Sequence, residues 1–257
     1  MPKTTKVKTT WTGKLKKWRQ DHEEDYARTI MAFPEKTTIL KAFPFPGTIL
    51  LMGAKRKGKS ALAHAVAEKF HNARNIPAVL HLPPSISLKL RQDIQKLLPP
   101  WMKVVNSMSE WPKRNVVIYD EAAQTAHARR SQSGDAVELE NLIGISGQRE
   151  QMIIFIAHHS RKVDVNVFRD IDRVAWKQPT YAHWIFERNE FTDFVLKAFD
   201  SFQSIRSASV KLKTTVMVDF QEFRIMTFTS GLPTYWSEKL SKLFEDIKTT
   251  KKGGYWH

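Results

Sequence analysis

The chain of 257 residues contains no cysteine. That absence excludes a disulfide framework, a thiolate zinc site and a cysteine nucleophile in one step, and it makes a reducing, intracellular setting the expectation. Long apolar runs are missing too. The best of them, TILLM at 48–52 and MIIFIA at 152–157, fall far short of the ~20 residues that a membrane-spanning helix needs. The N-terminus is basic and polar with no apolar stretch behind it, so neither a signal peptide nor membrane insertion is expected, and the expected location is cytoplasmic. The first twenty residues contain no acid, only seven basic side chains (Lys3, Lys6, Lys8, Lys14, Lys16, Lys17, Arg19). Across the chain, 41 Lys and Arg against 26 Asp and Glu leave a net charge of +15. Such a surplus favours polyanionic partners, nucleic acid before anionic membrane.

What is present is an alternation. After a self-repelling basic arm, DHEEDYARTIMAF begins acidic and turns apolar, as a helix with carboxylates in its first turn does, and places a helix within residues 14–33. From Thr48 onward, apolar runs of strand length alternate with helix-length amphipathic segments, the signature of βαβ units and a mainly parallel sheet. The expected strands are 48–52, 78–82, 102–105, 115–119, 152–157 and 172–176. SALAHAVAEKFHNA, SLKLRQDIQKLL and AVELENLIGISGQ carry helical spacing between them. Beyond Phe199, TTVMVDF and FRIMTFT read as paired strands and YWSEKLSKLFEDI as a closing helix. The expected organisation is therefore a basic N-terminal arm and helix (1–40), an α/β core (41–200) and a small hairpin-helix appendage (201–257).

Residues 53–60 read GAKRKGKS, a complete G-x-x-x-x-G-K-S directly after one expected strand and before an expected helix. Gly53 and Gly58 allow the backbone to wrap closely around phosphate, while the loop N–H groups and the helix N-terminus present positive charge to the anion. Lys59 would reach the β- and γ-phosphates and the Ser60 hydroxyl would hold Mg²⁺. The cradle as a whole is Gly53, Ala54, Lys55, Arg56, Lys57, Gly58, Lys59 and Ser60; Lys55, Arg56 and Lys57 occupy its unspecified positions as solvated charge. The alternative reading is a Gly/Lys-rich surface turn.

NVVIYDEA places Asp120 and Glu121 at the C-terminal end of an apolar strand, where ligands bind in open α/β sheets. Asp120 would orient the Mg²⁺ shell and Glu121 would polarise an attacking water, which suits NTP hydrolysis. A helix cap is the plainer role for such a pair. Farther on, MIIFIA runs into His158, His159 and Ser160, a polar cluster that would sit near a γ-phosphate or simply satisfy its bonds within a loop.

The order GAKRKGKS, VVIYDE, GQREQMIIFIAHHSR and a further strand after NVFRDID resembles the FtsK/HerA superfamily of P-loop motor ATPases, over roughly residues 45–180. Its compact viral genome-packaging type fits the chain length best. The resemblance implies an ASCE/RecA-like P-loop NTPase core, ATP and Mg²⁺ as cofactors, and a homo-oligomeric ring, pentamer or hexamer. It also implies double-stranded DNA as a partner bound without sequence preference, with a capsid vertex as the docking place. It matches Arg149 to the arginine that reaches a neighbour's ATP site, and it places His159 where the family usually has Gln, so the sensor stays open between His158, His159 and Ser160. Two other functions compete: a zonular-occludens-toxin-like morphogenesis or secretion ATPase, and a non-hydrolytic DNA-binding module with a relict phosphate loop.

For DNA contact the sequence offers HARRSQSGD at 127–135, with Arg129 and Arg130 among small residues, and the basic arm with Trp11 and Trp18 among its lysines. Each reads equally as a solvated segment. LPTYWSEKL, near the end, reads as a packed helix cap with Trp236 in the core.

Overall fold

The computed structural model describes Glu24 and Ala27, both helical, and residues 33–82, 84, 86–120, 141–158, 170–188, 191–222 and 224–242. The basic arm, the 127–135 loop, Glu121, His159, Ser160 and the last fifteen residues lie outside the described residues.

Among the described residues nine strands form one sheet: β1 (Glu35–Lys36), β2 (Gly47–Gly53), β3 (Ala78–His81), β4 (Met102–Val105), β5 (Asn115–Asp120), β6 (Gln151–Ile156), β7 (Arg173–Lys177), β8 (Thr214–Asp219) and β9 (Arg224–Thr229). Their order is β1-β9-β8-β7-β2-β6-β5-β3-β4. Six neighbouring strands, β7 through β4, run parallel, and only β8 is reversed against both of its neighbours. The expected α/β class and mainly parallel sheet are therefore what the chain adopts, and each expected core strand appears within a residue or so of its predicted ends. β6 lies between β2 and β5, so the strand that feeds the phosphate loop and the strand that ends in Asp120 are separated by one intervening strand.

Central strands of a parallel sheet are buried on both faces, so they read as continuous apolar runs. β2 is buried throughout. Its side chains divide by alternation: Ile49 and Leu51 enter one core with Met152, Ile154 and Ile156, while Leu50 and Met52 enter the other with Ile153 and Phe155. The first core is covered by α1 (Ile39–Ala42), α2 (Lys59–Arg74) and α3 (Leu88–Gln95). α2 buries Leu62, Ala63, Val66, Ala67 and Phe70, a spacing of three and four that keeps one face on the sheet. The second core is covered by α5 (Thr192–Gln203), through Phe194, Val195, Ala198 and Phe202. α4 (Tyr181–Phe186) lies between β7 and α5 in sequence.

The hairpin expected after Phe199 forms, with β8 and β9 antiparallel over six residue pairs. β8 also pairs antiparallel with β7, so the hairpin extends the main sheet. α6 (Ala208–Lys213) precedes it and α7 (Glu238–Ser241) follows, started by Ser237, whose hydroxyl accepts from the Leu240 N–H.

Between hairpin and α7, the 233–236 segment is fastened to α2. Glu68 accepts hydrogen bonds from the Thr234 N–H at 2.9 Å and its hydroxyl at 2.5 Å. One turn earlier on α2, His64 Nδ1 lies 3.0 Å from the Tyr235 hydroxyl. Burial pushes the His64 imidazole down to about 3, so it is neutral in the folded chain throughout the mildly acidic range. An unfolded His64 takes up a proton near pH 6.5, so the unfolded state binds more protons between that value and about 3, and stability falls as pH drops through this window. The maximal loss from this residue is on the order of 4–5 kcal/mol. His64→Phe is expected to flatten the acid side of the stability profile, measured as urea midpoints at pH 7, 5 and 4. An unchanged slope would assign the acid sensitivity to other groups.

Candidate nucleotide-binding site

The C-terminal ends of β2, β5, β6 and β7 meet at one edge of the sheet, because the register aligns Leu51 with Ile156, Ile156 with Asp120, and Gly53 with Lys177. A cavity of about 780 Å³ opens there, within the ~300–1,000 Å³ range of small-molecule sites. Its lining includes residues 55–60, Asp120, His158 and Lys177. The glycines at the two ends of the loop are required for different reasons. Gly53 has φ +136°, and a Cβ there would lie 1.9 Å from the Lys177 carbonyl oxygen, so β2 and β7 approach too closely for any side chain. Gly58 has φ +81° and starts α2 without a side-chain cap. The free N–H groups of the first turn of α2 are then available to an anion.

Lys59 is buried and folds back over its own loop, donating to the carbonyls of Gly53 at 2.8 Å and Ala54 at 2.9 Å. Its ammonium also lies 3.3 Å from His158 Nδ1. The Ser60 hydroxyl donates to Asp120 Oδ2 at 2.9 Å. Two hard oxygen donors, one hydroxyl and one buried carboxylate, thus stand together at the helix start, as a Mg²⁺ site needs. Lys55 and Arg56 are exposed and Lys57 half-buried, all on the cavity rim. Of the residues expected from sequence, the fold brings together residues 53–60, Asp120 and His158. No group of three His, Asp or Glu among the described residues is placed to hold a metal by itself.

Arg149 is elsewhere. It precedes β6, at the opposite end of that strand from His158, and its guanidinium donates to the Trp111 carbonyl and to Gln151 Oε1 at 3.2 Å. Gln151 in turn donates to the Pro112 carbonyl. The six-residue strand between them spans about 20 Å, so Arg149 cannot reach the cavity of its own chain.

Three residues of the site escaped the sequence reading. Lys177 is 1% exposed and donates through Nζ to the carbonyls of Leu212 and Thr214, while its stem lies 3.7 Å from where a Gly58 Cβ would be. The expected strand DRVAW stopped one residue short of it. His183, on α4, lies within hydrogen-bonding reach of the backbone at His158 and Gly53. Burial lowers its pKa, with those backbone contacts and Glu187 acting in the opposite direction. Trp236, expected in the core, is half-buried and lines the cavity. As expected, its ring packs against the first hydrophobic core, and it meets His64 edge-on, 5.3 Å between centroids at 71°.

No family model matches the sequence and no curated protein matches it. Solved structures do match. The genome packaging NTPase B204 from Sulfolobus turreted icosahedral virus 2, in complex with AMPPCP, is 12% identical and superposes with a TM-score of 0.50 over 73% of this chain and 99% of that one. The same protein with ATP-γS gives 13% identity and a TM-score of 0.50 over 73% and 98%. The N-terminal domain of zonular occludens toxin from Neisseria meningitidis follows at 12% identity, 79% and 98% coverage, with a TM-score of 0.40, too loose to carry argument. The chain thus has the fold of P-loop ATPases, and its structural neighbours include a viral genome-packaging NTPase.

Burial brings the Lys177 ammonium down from 10.5 to about 8. Between those values the unfolded chain holds a proton that the folded chain has released, so this residue makes stability rise with pH across the window, by at most about 3 kcal/mol. Denaturant midpoints at pH 7.5 and 10.5 should therefore rise more in the wild type than in Lys177→Met. Equal slopes would mean that Lys177 titrates normally.

Proposed function

We propose that the chain is a Mg²⁺-dependent ATPase that drives double-stranded DNA, without sequence preference, through a homo-oligomeric ring at a viral capsid vertex. The observation that carries the nucleotide part is the convergence of Lys59, Ser60 and Asp120 on one cavity, at the start of a helix opened by a left-handed glycine. The occupants of B204, AMPPCP and ATP-γS, support ATP as the nucleotide. The packaging part draws on the genome-packaging role of that neighbour and on the net charge of +15, which suits a polyanionic track.

In this reading the loop N–H groups and Lys59 bind the β- and γ-phosphates, and Ser60 and Asp120 hold Mg²⁺, which supplies charge neutralisation for phosphoryl transfer. Glu121, adjacent to Asp120, takes the proton of the attacking water. His158, whose Nδ1 lies 3.3 Å from the Lys59 ammonium, senses the γ-phosphate. Arg149 acts on a neighbouring subunit's nucleotide, since the far end of β6 faces away from its own.

Lys59→Ala is expected to lower Mg-ATP turnover by about 10³-fold or more, because the cation that offsets developing phosphoryl charge is gone. Glu121→Gln should bind ATP normally and turn it over no faster than Lys59→Ala. Retained turnover in the Lys59 variant, measured by phosphate release with and without double-stranded DNA, would discard the assignment of residues 53–60 as the phosphate loop. Lack of any DNA stimulation in an active wild type would remove only the motor.

For Arg149→Ala the expected result is near-normal ATP binding, with turnover down about 10³-fold as for an arginine finger. Mixing it with Glu121→Gln chains should restore part of the rate through composite sites. A fully active monomeric wild type would show instead that Arg149 serves only to tie β6 to the Trp111 turn.

A further inference from the structure

The cavity is longer than a phosphate site requires. Beyond the loop it continues along the first turn of α2 to the C-terminal part of the chain, where Leu212, Leu232 and Trp236 form an apolar wall. Leu212 is 48% and Leu232 68% exposed, on the inner margin of a cavity whose other end is cationic and polar. Ser209, Ser230 and Ser241, with Lys213 and Lys242, line the cavity as well. A phosphate cradle continuous with an apolar wall edged by polar side chains has the polarity of a nucleotide: anionic at one end, flat and apolar with a hydrogen-bonding rim at the other.

We propose that Trp236, Leu232 and Leu212 form the nucleobase subsite of this cavity, and that its occupant is the purine ring of the nucleotide whose phosphates rest on residues 53–60. The proposal rests on the nucleotide-binding reading above and adds to it the part of the chain that chooses the base. A bicyclic ring covers the indole and both leucines, whereas a single pyrimidine ring covers less of them, so the wall discriminates by contact area.

The spacing between the two subsites is set by one helix. Ser60 lies in the first turn of α2; His64, one turn or about 6 Å further on, meets Trp236 edge-on and bonds Tyr235. Glu68, another turn along, secures Thr234. The wall is therefore anchored to the same rigid element that presents N–H groups to phosphate. Lys177 provides a second tie from beside the loop, since its ammonium holds the Leu212 carbonyl.

The test compares ATP, CTP and inorganic tripolyphosphate binding to the full chain by calorimetry. The wild type should bind ATP about tenfold or more tightly than CTP, the scale of stacking on one aromatic platform. Leu232→Ser alters a largely exposed side chain and should fold; together with Leu212→Ser it should weaken ATP about tenfold and leave tripolyphosphate within about twofold. Trp236→Phe should reduce the preference for ATP over CTP, because a smaller ring covers less of the purine. Unchanged ATP affinity in the double leucine variant, or equal losses for ATP and tripolyphosphate, would overturn the subsite. The underlying reading fails with a different signature: tripolyphosphate binding that Lys59→Ala does not weaken, which overturns both.

Discussion

The closeness of β2 and β7 at Gly53 is the constraint on which the rest of the site depends. Backbone meets backbone there, with the Lys177 carbonyl in the space a Cβ would take. Only because the chain passes this point without a side chain can it turn at once into the loop and start α2 directly above the sheet edge. A larger residue at 53 would displace the loop from β7, and the first turn of α2 would no longer stand over Asp120. The bond from Ser60 to Asp120 is a consequence of that turn, formed across one intervening strand because α2 begins where the buried sheet ends.

Charge at the site follows the same geometry. Lys59 and Lys177 are both buried and both satisfied by main-chain carbonyls, the first by the loop itself and the second by the α6–β8 junction. Two cations held this way at the edge of an apolar sheet give a strong local field, since little water screens them. Lys177 also joins the loop to the hairpin that widens the sheet, so the C-terminal strands contribute to the site as well as to the core. On the opposite side α2 carries the 233–236 segment through Glu68 and His64, and the cavity is thereby lined by elements from both halves of the chain.

Most of the central sheet was legible because buried parallel strands have little freedom of composition: TILLM, NVVIY and MIIFIA are apolar without interruption, and no helix face or half-exposed strand reads that way. α5 went unread although its pattern is local: Phe194, Val195, Ala198 and Phe202 recur at helical spacing and Asp193 stands in its first turn. Only its N-cap, Phe191 in place of a Ser or Asp, departs from the usual start. The hairpin was found, but a sequence pairs strands only with their neighbours in the chain. That β8 would also pair with β7 depends on which sheet edge was left open.

By itself the sequence determined the local unit at residues 53–60 and the Asp120 strand end. GAKRKGKS and the Asp120 strand end are local patterns, in which backbone freedom, one cation, one hydroxyl and one carboxylate occur at spacings that a strand-turn-helix must reproduce wherever it is placed. What only the tertiary structure decided is everything that meets this local unit from far along the chain. Lys177, His183 and Trp236 lie more than a hundred residues from the loop, and their types are ordinary for a strand end, a short helix and a helix cap. Lys177 and Trp236 line the cavity because β7 pairs with β2 and the 233–236 segment packs on α2, and His183 comes near the backbone of Gly53 and His158. No local propensity encodes those contacts: they form because pairing open sheet edges and covering apolar faces removes surface from water.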